Sequence, residues 1–236
     1  MPRAGAADGR RRAGRAEGDG MRFLDGKAMA ELKRALGDLP SPVTITLFTR
    51  AGDGPTSGDL ADLLGEVAAS HPSIRLEIVD ADAARARAAA LGIEETPAFV
   101  VAGAEDRGIR FLGTPGGLEF ATLIHAIRGA SSGDSGLPPA LRARLETLPR
   151  PVRIRVFVTP SCPYCPPAVA TAHQIALASK GVRAEMVEAM EFPELADRFG
   201  VQGVPRIVID DRYAIDGAIP APRFVEAVVQ AASAAA

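Results

Sequence analysis

The segment "LPSPVTITLF" at residues 39–48 recurs as "LPRPVRIRVF" at 148–157, with Leu, Pro, Pro, Val, Ile and Phe at the same spacing. A repeat constrains a chain strongly, because each copy must build the same supersecondary unit. At 236 residues the chain is long for one small module and fits two modest ones. In the second half, Arg153 to Val158 alternate and are β-branched, as a strand requires. The pattern then predicts a helix from Pro166 to Lys180, a strand from Val182, a short helix "PELADRFG" stopped by Gly200, and a strand in "VQGVPRIVID". A turn at Asp211 and Arg212 closes a hairpin, and a last helix begins near Ala221. The first half reads the same way: strand Val43–Thr49, helix Ser57–Ser70, strand from Ile74, helix ending at Gly92, a hairpin containing "IEETPAFVVAG", and a helix from Gly117 to Arg128. Each half is therefore β-α-β-α-β-β-α, with an additional helix before each copy at Lys27–Leu36 and Ala140–Thr147.

The stretch "GASSGDSGLPP" suits a linker, which divides the chain into a unit at 21–130, a linker at 131–137 and a unit at 138–236. Residues 1–20 are rich in Gly, Ala and Arg without periodicity and read as a disordered extension, with Met21 as a second start. No apolar stretch follows its Arg cluster, so no secretion signal is expected and the expected location is the cytoplasm. A formal net charge of −2 gives no electrostatic reason to expect nucleic acid or anionic lipid as partner. No apolar run approaches the ~20 residues of a membrane helix.

The only cysteines are Cys162 and Cys165, in "FVTPSCPYCP". This spacing serves half a zinc site, a structural disulfide, or a dithiol that cycles between thiol and disulfide. In a reducing compartment a lone pair is more often catalytic or metal-binding than a staple. A structural zinc site usually needs four ligands. Beyond the cysteines only His71, His125 and His173 are available, and His173 lies eight residues past Cys165, about 12 Å along a helix at 1.5 Å per residue. His173 therefore reads as packing or surface, and a metal centre shared between two copies stays open. At a helix N-terminus, free backbone N–H groups and the dipole favour a thiolate, here at Cys162. Cys165, almost one turn on, is placed to attack a mixed disulfide at Cys162. Pro163 and Tyr164 between them are candidate substrate-contact residues, with Pro163 at a first-turn position where its missing N–H is no loss.

"GVP", Gly203 to Pro205, opens a strand, and X-Pro is where cis bonds occur. The expectation is a cis Val204–Pro205 bond beside Cys162, with Val204 offering its backbone to a substrate peptide and the Pro205 ring keeping metal from the sulfurs. The element recurs at Thr96–Pro97. Glu188 could assist proton transfer from Cys165, although a solvated role is the plainer reading.

The β-α-β-α-β-β-α order is that of the thioredoxin fold, and "FVTPSCPYCP", "MVEAMEFPELADRFGVQGVPRIVI" and "RFLGTPGGLEFATLI" together resemble the protein disulfide oxidoreductases built from two thioredoxin-like units. Similar tandem units form the N-terminal part of flavin-dependent peroxiredoxin reductases. The resemblance implies an α/β protein with two tandem thioredoxin-like folds, each a central mixed sheet flanked by helices. It implies dithiol–disulfide exchange on protein substrates, no bound cofactor or metal, and a thioredoxin reductase-like flavoenzyme or glutathione as electron donor. One departure matters: that family commonly carries a second CxxC, yet Asp53 and Thr56 stand opposite Cys162 and Cys165 in the repeat. The first unit is thus expected to be redox-silent. A redox-sensing module that binds peptide or protein partners, and an electron-transfer partner of a peroxiredoxin system, are the alternatives.

Overall fold

The structure, a computed structural model, describes residues 23–234; the proposed extension at 1–20 lies outside them. The first repeat contains α1 (Gly26–Leu36), β1 (Val43–Thr49), α2 (Pro55–Ala69), β2 (Ile74–Asp80), α3 (Arg85–Leu91), β3 (Ala98–Ala102), β4 (Ile109–Leu112), a 3₁₀ turn (Gly117–Glu119) and α4 (Phe120–Ser132). The second contains α5 (Pro139–Glu146), β5 (Val152–Val158), α6 (Cys165–Ala178), β6 (Val182–Glu188), α7 (Pro193–Arg198), β7 (Arg206–Ile209), β8 (Tyr213–Asp216) and α8 (Ala221–Ser233). The repeated order read from the sequence is present in full. Among the described residues, no helix is long and apolar enough to cross a membrane.

Alternation along each strand assigns its side chains to two layers. Ile45, Leu47, Ile154, Val156 and Val158 face the larger core, under α1, α2, α4, α5, α6 and α8. Phe48 and Phe157 face a smaller core with Ala88 of α3 and Leu195 and Ala196 of α7. α6 lies innermost on the larger side: Ala168, Val169, Ala172, His173, Ile175 and Ala176 are all buried. Its many alanines let α4, α5 and α8 all pack against it.

Sequence order alone did not predict that the two repeats share one sheet. Its eight strands run β2-β1-β3-β4-β6-β5-β7-β8. The seam is a parallel pairing of β4 with β6, with Ile109 opposite Ala184 and Leu112 opposite Val187. It begins at Gly108, whose carbonyl accepts from Ala184 N–H at 2.8 Å. Gly108 has φ +79, and a Cβ there would fall 2.2 Å from the Val182 carbonyl oxygen, so only glycine permits this approach. On the α3/α7 face the seam carries a cross-strand row of Arg110, Glu185 and Arg155, all buried. Arg155 Nε donates to Glu185 at 2.9 Å and its other nitrogens reach Asp211 and, at 3.3 Å, Glu94 of the first repeat.

The stretch expected as a linker is packed. Ser131 and Ser132 belong to the last turn of α4, and Ser131, Ser135 and Leu137 are buried. The Ser131 hydroxyl donates to Ser41 O at 2.6 Å and accepts from Ser41 N–H at 3.0 Å. Gly and Ser there serve a tight exit from α4, with Gly133 in the left-handed region, as much as chain freedom.

His173 sits on the inner face of the seam, 3% exposed, its ring 4.9 Å from that of Phe111 on β4. Nε2 lies 3.4 Å from Arg110 O, and Nδ1 has no partner among the described residues. Burial pushes its pKa down from 6.5 to about 4. Between these values the unfolded chain takes up a proton that the folded chain refuses, so stability is lost as pH falls from about 6.5 towards 4. His173→Phe is therefore expected to gain on the parent by about 2 kcal/mol between pH 7 and pH 5. The check is the parent-minus-variant difference in urea unfolding free energy at the two pH values, which removes the contribution of every other titrating group. A pH-independent difference overturns it.

Candidate active site

β5 ends at Val158, and the chain turns through Thr159–Tyr164 before entering α6. α6 opens at Cys165 and not at Pro166, so Cys162 and Pro163 lie in the turn before the helix. This corrects the expected first-turn place of Pro163: Pro166 and Pro167 occupy the first turn instead. Cys162 N–H donates to Thr159 O at 3.2 Å and Cys165 N–H to Cys162 O at 3.4 Å, which folds the turn back on itself. The two sulfurs are joined as a disulfide across a Cα–Cα distance of 5.5 Å. Their exposures differ: Cys162 is at 8% and Cys165 at 0%. One sulfur borders the rim and the other is sealed. Pro163 is exposed, and Tyr164 is 69% exposed over the rim.

Val204–Pro205 is a cis bond, as is Thr96–Pro97. The Val204 carbonyl oxygen lies 3.6 Å from Cys162 Sγ, so the expected juxtaposition is present. Pro205 is buried, Val204 is half-buried, and a groove of about 430 Å³ runs beside them between Gly200–Gly203 and Gly217. In the first repeat the equivalent pair is Asp53 and Thr96. Thr96 Oγ1 donates to Asp53 Oδ1 at 2.8 Å, while Arg50 N–H donates to Asp53 Oδ2 at 2.6 Å. The same two scaffold positions touch in both repeats, with a sulfur in one and a carboxylate in the other. Among the described residues no cluster of three or more His, Cys, Asp or Glu could hold a metal ion.

Glu188 is not solvated, contrary to the plainer sequence reading. It is 3% exposed at the end of β6, its Oε2 accepts from Glu191 N–H at 2.6 Å, and Oε1 has no partner among the described residues. Burial pushes its pKa up. A second buried carboxyl was missed altogether. Glu119, 1% exposed, ends the 3₁₀ turn of the first repeat. That turn is tied to the cysteine loop, because Leu118 N–H donates to Pro160 O at 2.9 Å. Gly117, at φ +56, permits the contact; a Cβ there would sit 2.5 Å from Pro160 O. The turn that carries Glu119 also packs on α6. Burial raises its pKa from 4.5 to about 7 against the opposing effect of the Thr122 hydroxyl, 3.0 Å from Oε2. Oε1 has no partner among the described residues. In the sequence Glu119 looks like an ordinary acid before a helix, and only the "GG" at Gly116 and Gly117 hints at a close approach.

Comparison with known proteins agrees with this arrangement. The thioredoxin domain family matches residues 152–230. The thioredoxin of Methanocaldococcus jannaschii is 35% identical over 78 residues, 33% of this chain and 92% of that protein. Among solved structures, the NTD_N/C domain of alkylhydroperoxide reductase AhpF from Enterococcus faecalis superposes with a TM-score of 0.81 at 31% identity, covering 87% of this chain and all of that one. A protein disulfide oxidoreductase from Aeropyrum pernix gives 0.80 at 30% identity, covering 89% and 94%. Curated relatives that match along most of this chain are longer, and the chain spans about a third of their length. With both repeats of one fold, a cysteine pair at the start of α6 and full-length structural counterparts, this α/β chain of two tandem thioredoxin-like folds belongs to the thioredoxin-like oxidoreductase family.

Proposed function

We propose that the chain exchanges disulfides with protein substrates through Cys162 and Cys165. The observation that carries this reading is the division of the pair into one sulfur at the rim and one sealed beneath it, beside the Val204 backbone. In the reduced protein, the Cys162 thiolate attacks one sulfur of a substrate disulfide and releases the other as a thiolate. Cys165 then attacks the Cys162 sulfur of the mixed disulfide, freeing the second substrate thiol. Two electrons pass from the dithiol to the substrate. The buried Cys165 must lose its proton to act, and Glu119, with a pKa of about 7, is suited to accept it. Val204, Pro205, Pro163 and Tyr164 form the surface on which an extended substrate segment lies. We take 21–130 as a redox-silent unit, 131–137 as the connection and 138–236 as the redox unit.

The structural likeness to a domain of an alkylhydroperoxide reductase favours a second, narrower reading of the same chemistry: electron transfer within a peroxide-reducing system. A thioredoxin reductase-like flavoenzyme or glutathione would then return the protein to its dithiol form. A redox sensor that binds partners without turnover is distinguished by stoichiometric, not catalytic, reduction of an insulin disulfide.

Cys162→Ser is expected to abolish insulin reduction, whereas Cys165→Ser accumulates mixed disulfides that survive non-reducing electrophoresis. Greater alkylation of Cys165 than of Cys162 in the reduced parent reverses the two roles. For Glu119→Gln, the expected result is a resolving step slowed on the order of 100-fold at pH 7, with the mixed disulfide lasting longer in stopped-flow traces. Because the folded pKa of Glu119 lies above its unfolded value, its contribution to stability is present below about pH 4.5 and lost as pH rises through about 7. The same variant should therefore be more stable than the parent at pH 8 by about 3 kcal/mol, and lose that advantage at pH 4. An unchanged resolving rate removes Glu119 from the mechanism.

A further inference from the structure

The direction in which a dithiol works depends on how strongly its attacking thiolate is stabilised. Donors that favour the thiolate stabilise the reduced form and make the couple oxidising; withholding them makes it reducing. At a helix N-terminus those donors are the backbone N–H groups of the first turn, which carry the positive end of the helix dipole. In α6 the N-cap is Tyr164 and the first helical residue is Cys165, followed by Pro166 and Pro167. Neither proline has an N–H. Of the other amides in the motif, Cys162 N–H is engaged by Thr159 O, Pro163 has none, Cys165 N–H is turned to Cys162 O, and Tyr164 N–H is left as a donor.

The first repeat provides an internal comparison. α2 starts one position earlier, at Pro55 opposite Tyr164, and the residues opposite Pro166 and Pro167 are Ser57 and Gly58, which keep their N–H groups. Prolines at both positions are therefore not demanded by the fold. The other groups around Cys162 act in the same direction. The Val204 carbonyl oxygen, 3.6 Å from Sγ, presents negative charge to it. Glu188, buried at the end of β6 opposite Val158, adds a carboxyl at this end of the sheet. The nearest cation along the Val204 strand, Arg206, is committed to Phe199 O at 3.0 Å and Asp216 at 2.6 Å.

We infer that Pro166 and Pro167 are positioning residues that set the redox poise of the Cys162–Cys165 couple: by withholding amide donors from the start of α6 they keep the Cys162 thiolate weakly stabilised and make the dithiol a reductant of substrate disulfides. The use of that poise rests on the exchange reading above; the effect on the thiol does not.

The test uses the full chain with Pro166→Ala, Pro167→Ala and the double substitution. Pro222→Ala, at the second position of α8 in the same repeat, is the control. Two quantities are measured: the pH midpoint of Cys162 alkylation by iodoacetamide in the reduced protein, and the equilibrium constant against glutathione. In the double variant the midpoint is expected to fall by about one pH unit. The equilibrium should move about tenfold towards the dithiol, which is about 30 mV for a two-electron couple. Pro167→Ser restores the same amide with a different helix propensity and should shift both readouts in the same direction, separating the donor from helix stability. Pro222→Ala should move neither. A double variant that titrates and equilibrates as the parent does overturns the inference, as does an equal shift in Pro222→Ala. Neither readout needs a protein substrate. A dithiol that shifts as expected yet fails to turn over insulin therefore supports the proline assignment and sinks the exchange reading alone.

Discussion

The parallel ladder between β4 and β6 is the interaction on which the rest of this structure depends. Each repeat by itself would present an unpaired strand edge, a row of N–H and C=O groups open to water or to another chain. Pairing the two edges satisfies both and turns two four-stranded halves into one sheet. The cores on its two faces then run across the boundary. Phe111 of the first repeat stacks on Phe99 at 4.6 Å and meets His173 of the second at 4.9 Å. The opposite face encloses Arg110, Glu185 and Arg155 in a row. Buried ion pairs of this kind add little net stability, but removing one partner strands a charge, typically costing about 3–5 kcal/mol. The Arg155–Glu185 pair therefore penalises any other register of β5 on β6, while Arg110, opposite Glu185 on β4, is paired with Asp106.

The seam also makes the site a joint product of both repeats. The cysteines, the Val204–Pro205 bond and Glu188 come from the second. Glu119 comes from the first, carried to α6 by a turn that is bonded to Pro160. The cysteine-free repeat thus contributes a desolvated carboxyl on a turn that is bonded to the cysteine loop and packed on α6. Its own version of the site is closed by Asp53, whose carboxylate is taken up by the Thr96 hydroxyl and the Arg50 amide.

Much of this was legible before any coordinates. The repeated "LPxPVxIxxF" located β1 and β5, and Gly92 and Gly200 marked the ends of α3 and α7. "CPYC" and "GVP" named the sulfurs and the backbone that faces them. These features are local: strand alternation, helix stops and the choice of proline act within a few residues and leave direct marks on the sequence. The connecting stretch shows the limit of local reading, since Ser131 and Ser135 have the composition of a loose connector and yet are buried by neighbours distant in the chain.

β2 and β6 show where local information ends. "IRLEIVD" and "VRAEMVE" share Arg, Glu and Val at matching positions, and the sequence by itself determined that both would be strands in the same place in their repeats. Yet β2 is a sheet edge with Ile78 56% exposed, while in β6 the matching Met186 is at 0% and Glu185 at 3%. The difference comes from β4, which pairs with β6 and has no counterpart beside β2. Periodicity reports the conformation of a strand, whereas burial depends on which strand lies next to it. The sequence therefore determined the two repeats, the dithiol and its facing proline. Only the tertiary structure decided that the repeats share a sheet, and so that Glu119, Glu188 and His173 are withdrawn from water and their proton affinities shifted.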